Sequence, residues 1–210
     1  MTQELMTRIE KGIQYREMQM RAADTDSMVV EGYATTFNQP YVLWEDDEMR
    51  IMEAVDSRAF EGADMSDVIM QYDHRGHVFA RIRNNTLNVR TDETGLFISA
   101  DLGGTEIGRQ LYQEIKGGYT DKMSFAFTVT DEQVDRQMVD NKRVITRLIT
   151  KIGKLYDVSA VSVPANDGTS ISARSFCDGI IKEELEETRR KLAEERTRKL
   201  IALKLKLMEV

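Results

Sequence analysis

Cysteine is nearly absent from this 210-residue chain, with Cys177 the single example. One thiol cannot close an internal disulfide, so nothing calls for an oxidising compartment, and a cytosolic setting is expected. Cys177 has no histidine near it in sequence and reads as an inert or partly buried thiol. Long apolar runs are missing too. The first twenty residues, MTQELMTRIEKGIQYREMQM, carry charges throughout, so they match neither a signal peptide nor a membrane span, and no later segment qualifies. Positive charge is in deficit, with a net charge of −7. Residues 181–210 hold nine Lys/Arg against seven Asp/Glu, which leaves −9 on residues 1–180. An acidic body excludes phosphate-backbone binding, which needs clustered cations, so no nucleic-acid partner is expected.

What is present points to β-structure. MVVEGYATTF, RIMEAV, DVIMQY, HVFARIR, TLNVR and GLFISADL are short segments rich in β-branched and aromatic residues, several of them alternating apolar with polar. Turn-forming NQP, NN and TDETG separate them. One helix interrupts the series, in TEIGRQLYQEIKGG. Thr105 caps its start, Ile107, Leu111, Tyr112 and Ile115 share a face, and Gly117-Gly118 stops it. In the following DKMSFAFTV, Met123, Phe125 and Phe127 point to one side of a strand and Ser124, Ala126 and Thr128 to the other. RVITRLITKI and KLYDVSAVSVP add two more apolar segments, and in the second Asp157 sits as a charge among Leu155, Val158, Val161 and Val163, where it needs a partner.

The expected fold is therefore mainly β (α+β): a closed or partly open β-barrel with a few flanking helices. A long C-terminal amphipathic helix follows, because from about Ile180 the composition turns to Leu, Glu, Lys and Arg, with leucines three, four, seven and eight apart. The expected division is 1–27, a partly helical or extended N-terminal segment; 28–179, the barrel; and 180–210, a helical tail that docks on a partner or self-associates.

Histidine is as scarce as the chemistry allows. Both copies, His74 and His77, lie in YDHRGHVFAR at 72–81. Asp73, His74 and His77 as metal ligands would suit a helix, but Gly76 and the flanking strand patterns oppose one, so neither metal nor cofactor is expected. A lone histidine is most often a surface or satisfied core residue; the other reading is a base. A serine hydroxyl becomes a good nucleophile when an imidazole accepts its proton and a carboxylate fixes the tautomer of that imidazole. His74, Ser124 and Asp157 suit those roles, but Ser159, Ser162 and other aspartates are available by the same logic, and spacing alone does not choose among them.

Six segments in order, EGYATTFNQPY, AVDSRAF, MQYDHRG, TDETGLFISADL, GGYTDKMSFAFTV and LYDVSAVSVPANDGTSISAR, resemble the prohead (procapsid) maturation proteases of tailed bacteriophages over about residues 28–175. That family is similar to the herpesvirus capsid assembly proteases, whose β-barrel it is thought to share. The resemblance implies His74 as base, Ser124 as nucleophile and Asp157 as third member. Many relatives have Glu in place of Asp157, and a Gly is common where Ala80 stands. Backbone N–H groups around Ala165 and Asn166, after Pro164, are the expected oxyanion donors. His77 is left as a residue at the start of a strand, facing away from His74, and Asp73 points elsewhere. The implied activity is a serine endopeptidase with a Ser-His-Asp set. It would cut scaffold protein or a scaffold-like segment of the major capsid protein, and itself, inside the assembling procapsid in the host cytoplasm. The tail would recruit it there or serve homo-oligomerisation. The competing reading is an inactive scaffold or assembly factor that keeps the barrel and tail for binding.

Overall fold

The structure is a computed structural model. It describes residues 13–23, 27–161 and 171–208. The chain divides into two compact units, one up to Ala173 and one from Arg174 onward. Among the described residues the first holds ten strands: β1 (Ile13–Ala22), β2 (Val29–Thr36), β3 (Tyr41–Glu45), β4 (Met49–Val55), β5 (Ile69–Tyr72), β6 (Arg75–Arg81), β7 (Leu87–Thr91), β8 (Gly95–Asp101), β9 (Lys122–Val139) and β10 (Lys142–Val161). A helix, α1 (Glu106–Lys116), lies between β8 and β9.

All ten strands form one sheet in the order β3-β4-β10-β9-β1-β2-β8-β7, with β5 on β10 and β6 on β5 as a side branch. Among the described residues no pairing joins the ends, so the sheet is open and the closed form of the expected barrel is not what is observed. β10 organises it. Its first half pairs in parallel with β4 (Arg143 to Ile149) and its last residues pair in parallel with β5 (Asp157 to Ala160), while β9 runs antiparallel along its other edge.

RVITRLITKI and the first eight residues of KLYDVSAVSVP, read separately from the sequence, belong to this one strand of 20 residues. It keeps an apolar face for that length only by slipping register against β9. One slip lies between Leu155 and Asp157. Leu155 and Val158 both belong to the core although they are an odd number of residues apart, and the bulge absorbs the extra residue. Asp157 and Ser159 are thereby turned to the face opposite the core.

The core lies on the side of Phe125, Phe127, Ile149, Ile152, Leu155 and Val158, against Val30, Leu96 and Ile98 from the other end of the sheet. α1 contributes Leu111, Tyr112 and Ile115. Its cap is the expected one, with the Gly108 N–H donating to Thr105 Oγ1 at 3.0 Å. Ile107 departs from the expected face. It is 39% exposed, one turn ahead of the buried set.

β1 lies within residues 1–27, read from the sequence as a partly helical or extended segment ahead of the barrel. Residues Ile13 to Gln19 pair with β9, and Met20 to Ala22 with β2, so β1 bridges the two parts of the sheet. Arg16 explains how so charged a segment lies inside. Its guanidinium donates to both carboxylate oxygens of Glu53, and Arg147 Nη1 reaches Glu53 Oε2 at 2.8 Å. Tyr41 also donates to Glu53, whose side chain is fully buried. Burial would push the Glu53 carboxyl up, but the two guanidiniums and the Tyr41 hydroxyl hold it below its ordinary range. Burial likewise works against charge on Arg16, yet Glu53 keeps its pKa above the usual value.

The second unit is formed by α2 (Ile171–Met208), a helix that starts nine residues before the expected tail boundary and contains Cys177. Glu187–Lys191 and Glu195–Lys199 form i,i+4 ion pairs at 2.7 and 2.6 Å on its surface. No helix among the described residues is long and apolar enough to cross a membrane.

Candidate active site

β5 and β6 form a hairpin in which Tyr72 pairs with Arg75, leaving a turn of Asp73 and His74. Both turn residues have positive φ, 49° and 57°, as a two-residue primed hairpin turn requires. Asp and His are among the non-glycine residues found more often in this region, although a non-glycine residue held there still costs roughly 1–3 kcal/mol. Gly76, at φ 76°, takes a further left-handed position without that cost. The turn is tied down on both sides. The Asp73 N–H donates to Ala160 O on β10 at 2.9 Å, and Gln71 Nε2 donates to Gly76 O at 3.3 Å. The root of β6 is pinned by Arg81 bonded to Asp67, which holds the Asp67 carboxyl below its ordinary range.

The imidazole at the turn tip reaches the polar face of the sheet. Gln71, Ser159, Ser124 and Glu17 occupy matching register positions on β5, β10, β9 and β1, so they form a row across four strands. Ser124 faces away from Met123, Phe125 and Phe127, as its alternation predicts. His74 Nε2 lies 2.7 Å from Ser124 Oγ, and His74 Nδ1 lies 2.5 Å from Asp157 Oδ1. Ionised carboxylate only accepts, so Nδ1 carries the proton, and Nε2 is left to accept from the serine hydroxyl. Ser124 and Asp157 are each 2% exposed, whereas the His74 side chain keeps 17% of its surface open. A buried nucleophile and carboxylate under a partly open imidazole can pass a proton from hydroxyl to ring and onward to a group arriving from solvent.

Of the sequence-derived site residues, His74, Ser124 and Asp157 come together. Asp157 reaches the imidazole with its shorter side chain because β5 pairs directly with β10 at this residue. Ala165 and Asn166 lie outside the described residues, as does Ser162. Asp73 is not the carboxylate at 2.5 Å from His74 Nδ1, a position held by Asp157.

Two features went unread in the sequence. Ser159 Oγ donates to Asp157 Oδ1 at 2.7 Å; the two-residue spacing in DVS was the signal, since it places both side chains on one face. The second is a groove of about 480 Å³ between the β5–β6 hairpin and α1. Tyr72, Asp73, Phe79, Ile107, Leu111 and Glu114 are among its walls, and His77 and Arg75 also line it. Partial exposure of Ile107 is explained by this groove. No sequence pattern brings 107 beside 79.

Neither curated proteins nor solved structures gave a match. A family model described as caudovirus prohead serine protease matches residues 16–206, from β1 through nearly all of α2. With almost the whole length matched, the chain belongs to the caudovirus prohead serine protease family.

Proposed function

We propose that this protein is a serine endopeptidase in which Ser124 is the nucleophile, His74 the general base and acid, and Asp157 the carboxylate that orients the imidazole. The observation that carries the reading is the continuous row Ser124 Oγ, His74 Nε2, His74 Nδ1, Asp157 Oδ1, with spacings of 2.7 and 2.5 Å. Ser124 Oγ attacks the carbonyl carbon of the scissile peptide while its proton passes to His74 Nε2. The imidazolium then protonates the leaving amine as the C–N bond breaks, and an ester to Ser124 remains. Water attacks that ester, giving its proton to His74, and the ring returns it to Ser124 as the new carboxylate departs. Asp157 stays ionised and stabilises the charged ring in both halves. Backbone N–H groups of Ala165 and Asn166 are the proposed donors to the carbonyl oxygen.

The substrate class follows from family membership. A prohead protease acts during capsid maturation, so the proposed substrates are scaffold protein or a scaffold-like segment of the major capsid protein, together with this chain itself, within the procapsid in the host cytoplasm. The groove beside the His74 turn supports a polypeptide substrate, because Phe79, Ile107 and Leu111 offer one of its side chains an apolar surface in a groove also lined by Asp73 and Arg75, the neighbours of His74 in the chain. The proposed division of labour has residues 28–179 as the protease proper and residues 180–210 as an amphipathic arm that recruits it to the shell or joins copies of it.

The test is incubation of the full chain with its procapsid substrate beside the Ser124→Ala variant, followed by mass spectrometry. Cleavage at defined bonds by the parent alone is expected. Equal band patterns from the two proteins would leave the assembly-factor reading in its place.

A further inference from the structure

His74 Nδ1 and Ser159 Oγ converge on one atom, Asp157 Oδ1, at 2.5 and 2.7 Å. Ser159 is fully buried in the interior of β10, between the core residues Val158 and Ala160. Strand interiors on a buried face favour β-branched and aromatic side chains, and a buried hydroxyl without a partner is costly. A serine at 159 therefore needs an acceptor, and it finds the Asp157 carboxylate two residues back on the same face.

The arrangement has two physical consequences. The carboxylate gains a hydroxyl donor beside the imidazole where water is excluded. Its rotation is also set, because Oδ1 is fixed between hydroxyl and ring. Ser159 stands opposite Ser124 in the ladder but directs its proton to Asp157, so it does not compete for His74 Nε2. We propose that Ser159 is a positioning residue for the hydrolytic reaction: its hydroxyl holds the Asp157 carboxylate in the rotation from which it orients His74. The proposal rests on the roles given above to Ser124, His74 and Asp157.

A fluorophosphonate probe tests it without a known peptide substrate. Ser124 Oγ attacks phosphorus, fluoride leaves, and the hydroxyl proton goes to His74, so the second-order labelling rate reads how well the serine is activated. The full chain is compared with Ser159→Ala, Ser159→Cys and Ser124→Ala over a range of pH, with folding followed by thermal melting. Ser159→Ala is expected to label on the order of ten- to a hundredfold more slowly, the size of one hydrogen bond to a charged group. The acid limb of its pH profile should move to higher pH, because a carboxylate without its second donor directs more of its charge at the imidazole and retains the ring proton longer. Ser159→Cys, with a weaker donor, should fall between and remains informative if the alanine variant does not fold. Labelling of Ser159→Ala at the parental rate, or slower labelling with an unmoved acid limb, would reduce Ser159 to a packing role and overturn the proposal. If Ser124→Ala labels as fast as the parent, the protease reading fails and this proposal with it; parental labelling confined to Ser159→Ala removes the proposal alone.

Discussion

Ser124 and Ser159 stand opposite each other across the β9–β10 ladder, yet their hydroxyls serve different atoms: Ser124 meets His74 Nε2 at 2.7 Å and Ser159 meets Asp157 Oδ1 at 2.7 Å. Two chemically identical side chains on one polar face are thus distinguished by the hairpin turn that hangs over one of them. Four predictions follow from the way that turn, the groove, the buried charges and the tail are built.

Removing the nucleophile or the base should abolish peptide cleavage and leave the fold intact. Ser124→Ala deletes one oxygen from a buried site, and His74→Ala trims a side chain at the tip of a hairpin turn. Loss of the base alone is expected to cost on the order of 10² to 10⁴ in rate. Asp157→Asn should reduce kcat by roughly 10⁴ through the wrong imidazole tautomer. Cleavage of procapsid substrate, read beside circular dichroism, checks all three; substantial activity in Ser124→Ala would contradict the assignment.

Glu53 should be one of the costliest positions in the sheet. Glu53→Gln removes the charge that two buried guanidiniums share, which is expected to destabilise by roughly 3–5 kcal/mol. The effect depends on pH with a definite sign. Because the folded state holds the Glu53 carboxyl below its ordinary range, its contribution is present above the unfolded value of about 4.3 and is lost as pH falls through the lower folded value. Melting curves of parent and variant should therefore differ by a constant amount above about pH 5 and converge in stronger acid. A gap that widens on acidification would show that another group dominates.

Ile107 is an apolar wall of the groove that is 39% exposed on α1. Ile107→Lys should fold normally and raise KM for the polypeptide substrate by about tenfold, the value of a lost apolar contact in a binding pocket. A fall confined to kcat, with KM unchanged, would show that the substrate does not use this wall.

The tail makes a separable prediction. A chain ending near Gly179 should lose association with capsid or scaffold protein in a pull-down while the strands of the first unit are retained. Undiminished binding would remove the recruiting role.

Some of this was legible before any coordinates. Alternation in DKMSFAFTV put Ser124 on the face away from Phe125 and Phe127, and Thr105 with Gly117-Gly118 bounded α1, because capping and side-chain period act over a few residues. The candidate residues themselves came from resemblance, since spacing left Ser159 and Ser162 open. The place of β1 was hidden: a segment as charged as IQYREMQMRA reads as surface until Glu53, 37 residues from Arg16, supplies the counter-charge.

By itself, the sequence determined the strand-rich composition, the helix with its stops, the sidedness of Ser124 and, through its ordered motifs, the family. Only the tertiary structure decided that His74 meets Ser124, 50 residues away, and Asp157, 83 residues away. It also left the sheet open and placed the bulge that turns Asp157 and Ser159 from the core. Side-chain period and capping are local energies written in neighbouring residues. Which strands pair, and in what register, is settled by burial and charge compensation over the whole sheet, so distant side chains meet only when that larger sum is satisfied.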